Sequence, residues 1–136
     1  ARATTGVRVP SSSDTNAKPE MVLNTERMRQ ILGEDPSMQL EVVNLFFSDT
    51  SKRLQKIRRA LAAEDLETAR SHAHAIKGAS ANIGAEKLHY HAKVTETAAK
   101  EENLDSTRSG FEVMDREFTE LCKFLEKHYG QSFESV

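Results

Sequence analysis

From residue 25 onward the apolar side chains recur at every third or fourth position, and no stretch alternates residue by residue as a half-buried strand would. The chain therefore reads as helices. Asn24 is placed to cap a short one, with Met28, Ile31 and Leu32 on its apolar face and Gly33 as its stop. After Pro36 a long seam runs Leu40, Val43, Phe47, Thr50, Leu54, Ile57 and Leu61, ending near Ala63. A second seam, Leu66, Ala69, Ala73, Ile76, Ser80 and Ile83, closes at Gly84, a residue suited to the left-handed position after a helix. A weaker stripe follows from about Glu86: Leu88, Ala92, Thr95 and Ala99. The last is strong, with Leu104, Thr107, Phe111, Met114, Phe118, Leu121, Leu125 and His128 in rhythm and Cys122 and Phe124 widening the face. Four such helices joined by short loops hide their seams as an antiparallel up-and-down four-helix bundle, here with a short extra N-terminal helix, and the fold class expected is all-α.

Residues 1–20 are Thr, Ser, Asn, Pro and Gly-rich with few large apolar groups, the composition of a disordered tail or linker, so the bundle domain is expected over residues 21–136. The chain opens on alanine, as a trimmed or processed form or a piece of a longer protein would. Its 19 Lys and Arg against 21 Asp and Glu give a net charge of -2, without the broad positive field that nucleic-acid binding calls for. One cysteine, Cys122, excludes both an internal disulfide and a thiolate zinc site, and a reducing compartment fits best. No apolar run approaches the roughly 20 residues of a membrane helix. A cytoplasmic monomer is expected, with a nuclear location also open to it in a eukaryote.

A bundle carries no function in itself, so the informative residues are those its core does not explain. On the second long helix His74 points about 130° away from the seam, whereas His72 lies only about 70° from it. His74 thus faces outward and His72 sits at the boundary. On the same outer face are Gly78 one turn on and Ala81 two turns on, with Arg70 and Lys77 to one side. Glycine inside a helix costs about 1 kcal/mol relative to alanine, and on an exposed face it has no packing role to offset that. Its benefit is access to the neighbouring imidazole. A histidine of ordinary pKa, about 6.5, offers a neutral, nucleophilic nitrogen near pH 7, and a cation beside it favours that form and attracts phosphoryl oxygens. Histidine, cation and bare helix face together describe a phosphoryl acceptor.

The run Ala73-His74-Ala75-Ile76-Lys77-Gly78-Ala79-Ser80-Ala81-Asn82-Ile83-Gly84-Ala85 resembles the signature of the histidine-containing phosphotransfer (HPt) domain family, with Lys-Gly directly after a His-x-aliphatic triplet and a second glycine ten residues past the histidine. In looser form the resemblance extends from about residue 22 to 129. It implies a lead helix and four-helix bundle that relays phosphoryl groups between receiver-domain aspartates in a multistep two-component phosphorelay. His74 would be the phosphoacceptor, Lys77 would stand beside the phosphoryl group, and Gly78 would give access. The implied partners are receiver domains of hybrid sensor histidine kinases and of response regulators. No cofactor of its own is implied, since the required Mg²⁺ belongs to the receiver. No G-x-x-x-x-G-K-S/T run is present, so phosphorylation from ATP by the chain itself is not expected.

Folding the helices into a hairpin around Gly84 puts Lys93 opposite His74, which makes His89, Lys93, Glu96 and Lys100 a wall of the site and Lys93, Glu96 and Arg70 candidate docking residues. Phe46, beside the seam, is either a wide core contact or an exposed anchor for a receiver helix. The five histidines, His72, His74, His89, His91 and His128, do not make a metal site on one helix. Each His-x-His pair spreads its rings about 200° apart, where a shared ion needs i, i+3 or i+4 spacing. Lys52, Arg53, Lys56, Arg58 and Arg59 read as a solvated helix face that also complements an acidic receiver pocket. Three other readings stay open: a module that docks receivers without taking phosphate, the substrate domain of a larger histidine kinase, and a metal-binding bundle with ligands from facing helices.

Overall fold

The computed structural model describes residues 21–130 and 132; the tail expected over residues 1–20 lies outside them. The described chain is five α-helices in the order α1 (Thr25–Leu32), α2 (Pro36–Ala62), α3 (Leu66–Ile83), α4 (Glu86–Lys100) and α5 (Leu104–Tyr129). Helices α2 to α5 form the bundle, and α1 lies across α2 and α3. No helix among the described residues is long and apolar enough to cross a membrane.

Side-chain caps set most of the helix starts. Asn24, Asp35, Asp65 and Asn103 each accept a hydrogen bond from a backbone N–H two or three residues on, at 3.0 to 3.1 Å. The two connections at one end of the bundle are built alike. Glu64 and Glu102 both take a left-handed backbone (φ 57° and 60°), after which Asp65 and Asn103 start the next helix. The α3–α4 turn at the other end has no side-chain cap. There Gly84, at φ 81°, lies so close to the segment before α1 that a β-carbon on it would stand 2.8 Å from the Asn24 carbonyl oxygen. Asn24 fastens that turn twice, its N–H donating to the Gly84 carbonyl (2.7 Å) and its side-chain amide to Glu86 (2.8 Å).

The predicted seams are the core, with Val43, Phe47, Leu54, Ile57, Ala69, Ala73, Ile76, Leu88, Ala92, Met114, Leu121 and Leu125 among its buried members. Two buried hydroxyls on the seams bond within their own helix, Ser80 to the Ile76 carbonyl (2.7 Å) and Thr95 to the His91 carbonyl (2.8 Å), whereas that of Thr50 is buried without a partner. The seams thin toward the helix ends: Leu40, Leu66 and Leu104 pack against the core but are half-buried, while Ile31 and His128, expected inside, are exposed. Phe124 is exposed too, its ring stacked on His128 at 6.3 Å rather than widening the core. Gln39 is buried instead, because its amide donates to the Gly33 carbonyl (2.6 Å) while Tyr129 donates its hydroxyl proton to the Gln39 side-chain oxygen (2.9 Å). Cys122 is half-buried, and burial, with Glu126 nearby, pushes its thiol up to about 12.

Helices α4 and α5 meet closely at Gly110, where a β-carbon would lie 2.6 Å from the Thr95 hydroxyl oxygen and 3.3 Å from the Thr95 α-carbon. Alanine at this point gains about 1 kcal/mol of helix propensity. It also forces two helices apart, an overpacking that typically costs about 1–3 kcal/mol. Gly110→Ala is therefore expected to lower the unfolding free energy, by about 1 kcal/mol on balance, measured as an earlier urea midpoint at unchanged slope.

Candidate functional site

The site lies on the outer edge between α3 and α4. The seam Ala69, Ala73, Ile76 and Ser80 turns one face of α3 inward, and the helical period then puts His74 outward, with its side chain 63% exposed. From α4, Glu96 reaches toward it with a side chain only 10% exposed. One Glu96 carboxylate oxygen lies 2.7 Å from His74 Nδ1 and the other 2.8 Å from Lys77 Nζ. His89 Nδ1 lies 2.9 Å from the Lys77 backbone carbonyl oxygen and so donates to it, tying α4 to the turn of α3 that carries the lysine.

This arrangement decides which nitrogen of His74 is free. Burial pushes the Glu96 carboxyl toward its neutral form, but the hydrogen bonds and charges of Lys77 and His74 outweigh it, and the group is held below its ordinary range. An ionised carboxylate can only accept, so Nδ1 carries the proton. In the neutral ring the lone pair is then on Nε2. The ring is thus held at one nitrogen and offered at the other.

Around the ring, Gly78 is exposed, with no atom beyond its own stretch of helix within 4 Å of where a β-carbon would stand, and Ala81, half-buried, continues the same face. Lys77 does not stand free beside the imidazole as a simple counter-charge; its ammonium is held by Glu96, with its side chain 27% exposed. Arg70, one turn before His74, pairs with Glu67, and its charge also reaches Glu96.

Three expectations about the flank change. The side chain that meets His74 is Glu96 rather than Lys93, because the turn uses two residues, Gly84 and Ala85, and the mirror position of His74 falls beside Glu96. Glu96 is accordingly a buried partner of the site residues, not an open docking contact; Lys93 is exposed on α4. Of the two readings of Phe46 the core contact holds, since it is 6% exposed with its ring 6.4 Å from that of Phe118. The large apolar residue that this turn of α2 exposes is Leu45, at 73%. Sequence reasoning missed the bonds of Glu96. The signal was an acid directly beside seam residue Thr95, where an unpaired carboxylate is costly.

His72 sits at the boundary as expected, with Arg53 of α2 donating to its Nδ1 at 3.0 Å and so fixing the opposite tautomer from that of His74. Arg53 also pairs with Asp49, and Arg58 with Asp115, so the basic stretch of α2 is partly neutralised. Among the described residues no group of three or more metal-ligating side chains forms.

Comparisons with known proteins agree on one family. The family model described as the Hpt domain matches residues 41–126. The phosphorelay intermediate protein rdeA of Dictyostelium discoideum is 29% identical over 85 residues, which are 62% of this chain and 34% of that protein. The pseudo histidine-containing phosphotransfer protein 2 of Oryza sativa subsp. japonica is 29% identical over 96 residues, 69% of this chain and 64% of that protein. The chain thus spans less than two thirds of either relative. The crystal structure of histidine-containing phosphotransfer protein B (HptB) from Pseudomonas aeruginosa PAO1 superposes with a TM-score of 0.75 at 26% identity, covering 80% of this chain and 95% of that one.

Burial, then the charges of Arg53 and Lys56, lower the pKa of His72 below its ordinary value. The unfolded chain therefore takes up this proton first. The stability from a neutral His72 is present above the unfolded value, near pH 6.5, and is lost as pH falls through the lower folded value. The urea midpoint of the native protein is expected to drop between about pH 7 and pH 5 by more than that of His72→Gln.

Proposed function

The chain belongs to the Hpt domain family, and from that premise we propose that it is a phosphorelay intermediate, taking a phosphoryl group onto His74 Nε2 from one receiver-domain aspartate and passing it to another. The observation that carries this reading is the pairing of an anchored Nδ1 with an exposed, unprotonated Nε2.

In the transfer the Nε2 lone pair attacks phosphorus, the new N–P bond forms, and the bond from phosphorus to the aspartate oxygen breaks with its electron pair leaving on the carboxylate. The flat stretch at Gly78 and Ala81 lets the receiver bring its aspartate into line with the ring. Lys77, poised at the edge of the site, supplies positive charge to the transferred group's oxygens. Arg70 and Lys93 form a charged rim that suits brief docking. The partners are receiver domains of hybrid sensor kinases and response regulators, and they bring the Mg²⁺. The chain acts on no nucleotide itself.

Incubation with a phosphorylated receiver domain tests the reading. Acid-labile, base-stable label on this chain is expected, and none on His74→Gln. Label that persists in His74→Gln would refute the assignment, and a native chain that binds receivers without taking label would make it a docking module. Gly78→Ala separates function from stability. With open space above the residue, alanine is expected to raise the unfolding free energy by about 0.5–1 kcal/mol. The same methyl group should slow transfer by roughly tenfold to a hundredfold, because it holds the receiver away from the ring.

A further inference from the structure

We propose that Glu96 keeps the ring proton of phosphorylated His74 in place and thereby decides whether the phosphoryl group can leave again. The inference rests on His74 Nε2 being the acceptor and goes beyond it, since a site built only to accept would not need a buried carboxylate behind the ring.

The chemistry follows from where the proton sits. With Nδ1 already protonated, attack by Nε2 moves no proton, and the product ring carries both Nδ1–H and Nε2–P, hence a positive charge. That charge arises beside the Glu96 oxygen, which already lies at 2.7 Å. In onward transfer a carboxylate oxygen of the next receiver bonds to phosphorus, the N–P bond breaks, and its electron pair returns to Nε2. A ring that has kept its Nδ1 proton leaves as neutral imidazole. A ring that has lost it leaves as imidazolate, a much stronger base and a far poorer leaving group. Loss of that proton would strand the phosphoryl group on this chain.

The other charges around the ring favour that loss. Helix α3 brings Arg70 and Lys77, with His72 neutral at the boundary; α4 brings Lys93 and Lys100 within a turn of Glu96; α2 brings Arg53 and Lys56 beside His72. Two nearby acids are already engaged, Glu67 by Arg70 and Asp49 by Arg53. Glu96 is the carboxylate hydrogen-bonded to the ring, and Lys77 fixes its other oxygen so that it stays aimed there. It is a positioning residue, acting on phosphorus only through the imidazole.

Glu96→Gln keeps an oxygen to accept from Nδ1–H and removes the charge. Both proteins are loaded from a phosphorylated receiver, the ring proton is followed by ¹H–¹⁵N spectra against pH, and discharge to a fresh receiver is timed from about pH 6 to 9. The phosphorylated ring of Glu96→Gln is expected to lose its proton about one pH unit lower, and its discharge at the alkaline end to slow about tenfold. Glu96→Asp, which keeps the charge on a shorter arm, should titrate closer to the native protein, and it serves alone if the glutamine variant does not fold. Identical titration and discharge in native and substituted proteins would overturn the role of Glu96 while leaving the acceptor intact. Failure of the native protein to take label on His74 would overturn both.

Discussion

A carboxylate can grip an imidazole across two helices only if the helices run close together, and in this bundle that closeness comes from small side chains. Beside the larger Ile76, Ile83 and Leu88, the buried seams of α3 and α4 are built from Ala69, Ala73, Ser80, Ala92, Thr95 and Ala99. Their hydroxyls bond to their own helix, so the seam stays satisfied without spacers. Gly110 extends the same closeness to α5, against Thr95, the residue next to Glu96. The aromatic part of the core lies elsewhere, with Phe46 and Phe47 of α2 against Phe118 of α5. The aromatic layer gives the bundle mass, and the small residues beside the site give it its geometry.

Two histidines two residues apart on α3 therefore have opposite fates. His72 receives a proton donor, Arg53, at Nδ1, and is a structural link between α2 and α3. His74 receives a proton acceptor, Glu96, at the same ring position, and its other nitrogen is left to solvent. The difference comes from the 100° step of the helix, which carries one ring toward a basic neighbour and the other toward an acidic one. Gly78 and Ala81 then keep the outward ring approachable, and the helix tolerates the glycine because α3 is held by its buried face rather than by propensity.

The seams were legible because a helix has one period, and Val43, Ile57, Ala73, Ile76, Met114 and Leu125 could face nowhere but inward. His74 and Gly78 were legible for the complementary reason, as residues on the outer face that packing does not explain. What sequence could not supply was the register between neighbouring helices. Lys93 and Glu96 are three residues apart on one helix, less than one turn, and the seam pattern of each helix alone does not say which of them stands opposite His74. Phe46 and Leu45 differ by a single 100° step at the edge of a seam, where the position of α5 settles which is covered. Phe124 lies one 100° step from the fully buried Leu125, at the edge of the α5 seam, where it stacks on His128 in the open instead of widening the core.

The most direct measurement is the tautomer of His74 in the unphosphorylated protein, read from long-range ¹H–¹⁵N couplings of the ring near neutral pH. A protonated Nδ1 and a bare, acceptor-type Nε2 are the expected spectrum, with the two environments exchanged in His72. A proton resident on Nε2 of His74 would contradict the presentation of that nitrogen as the nucleophile.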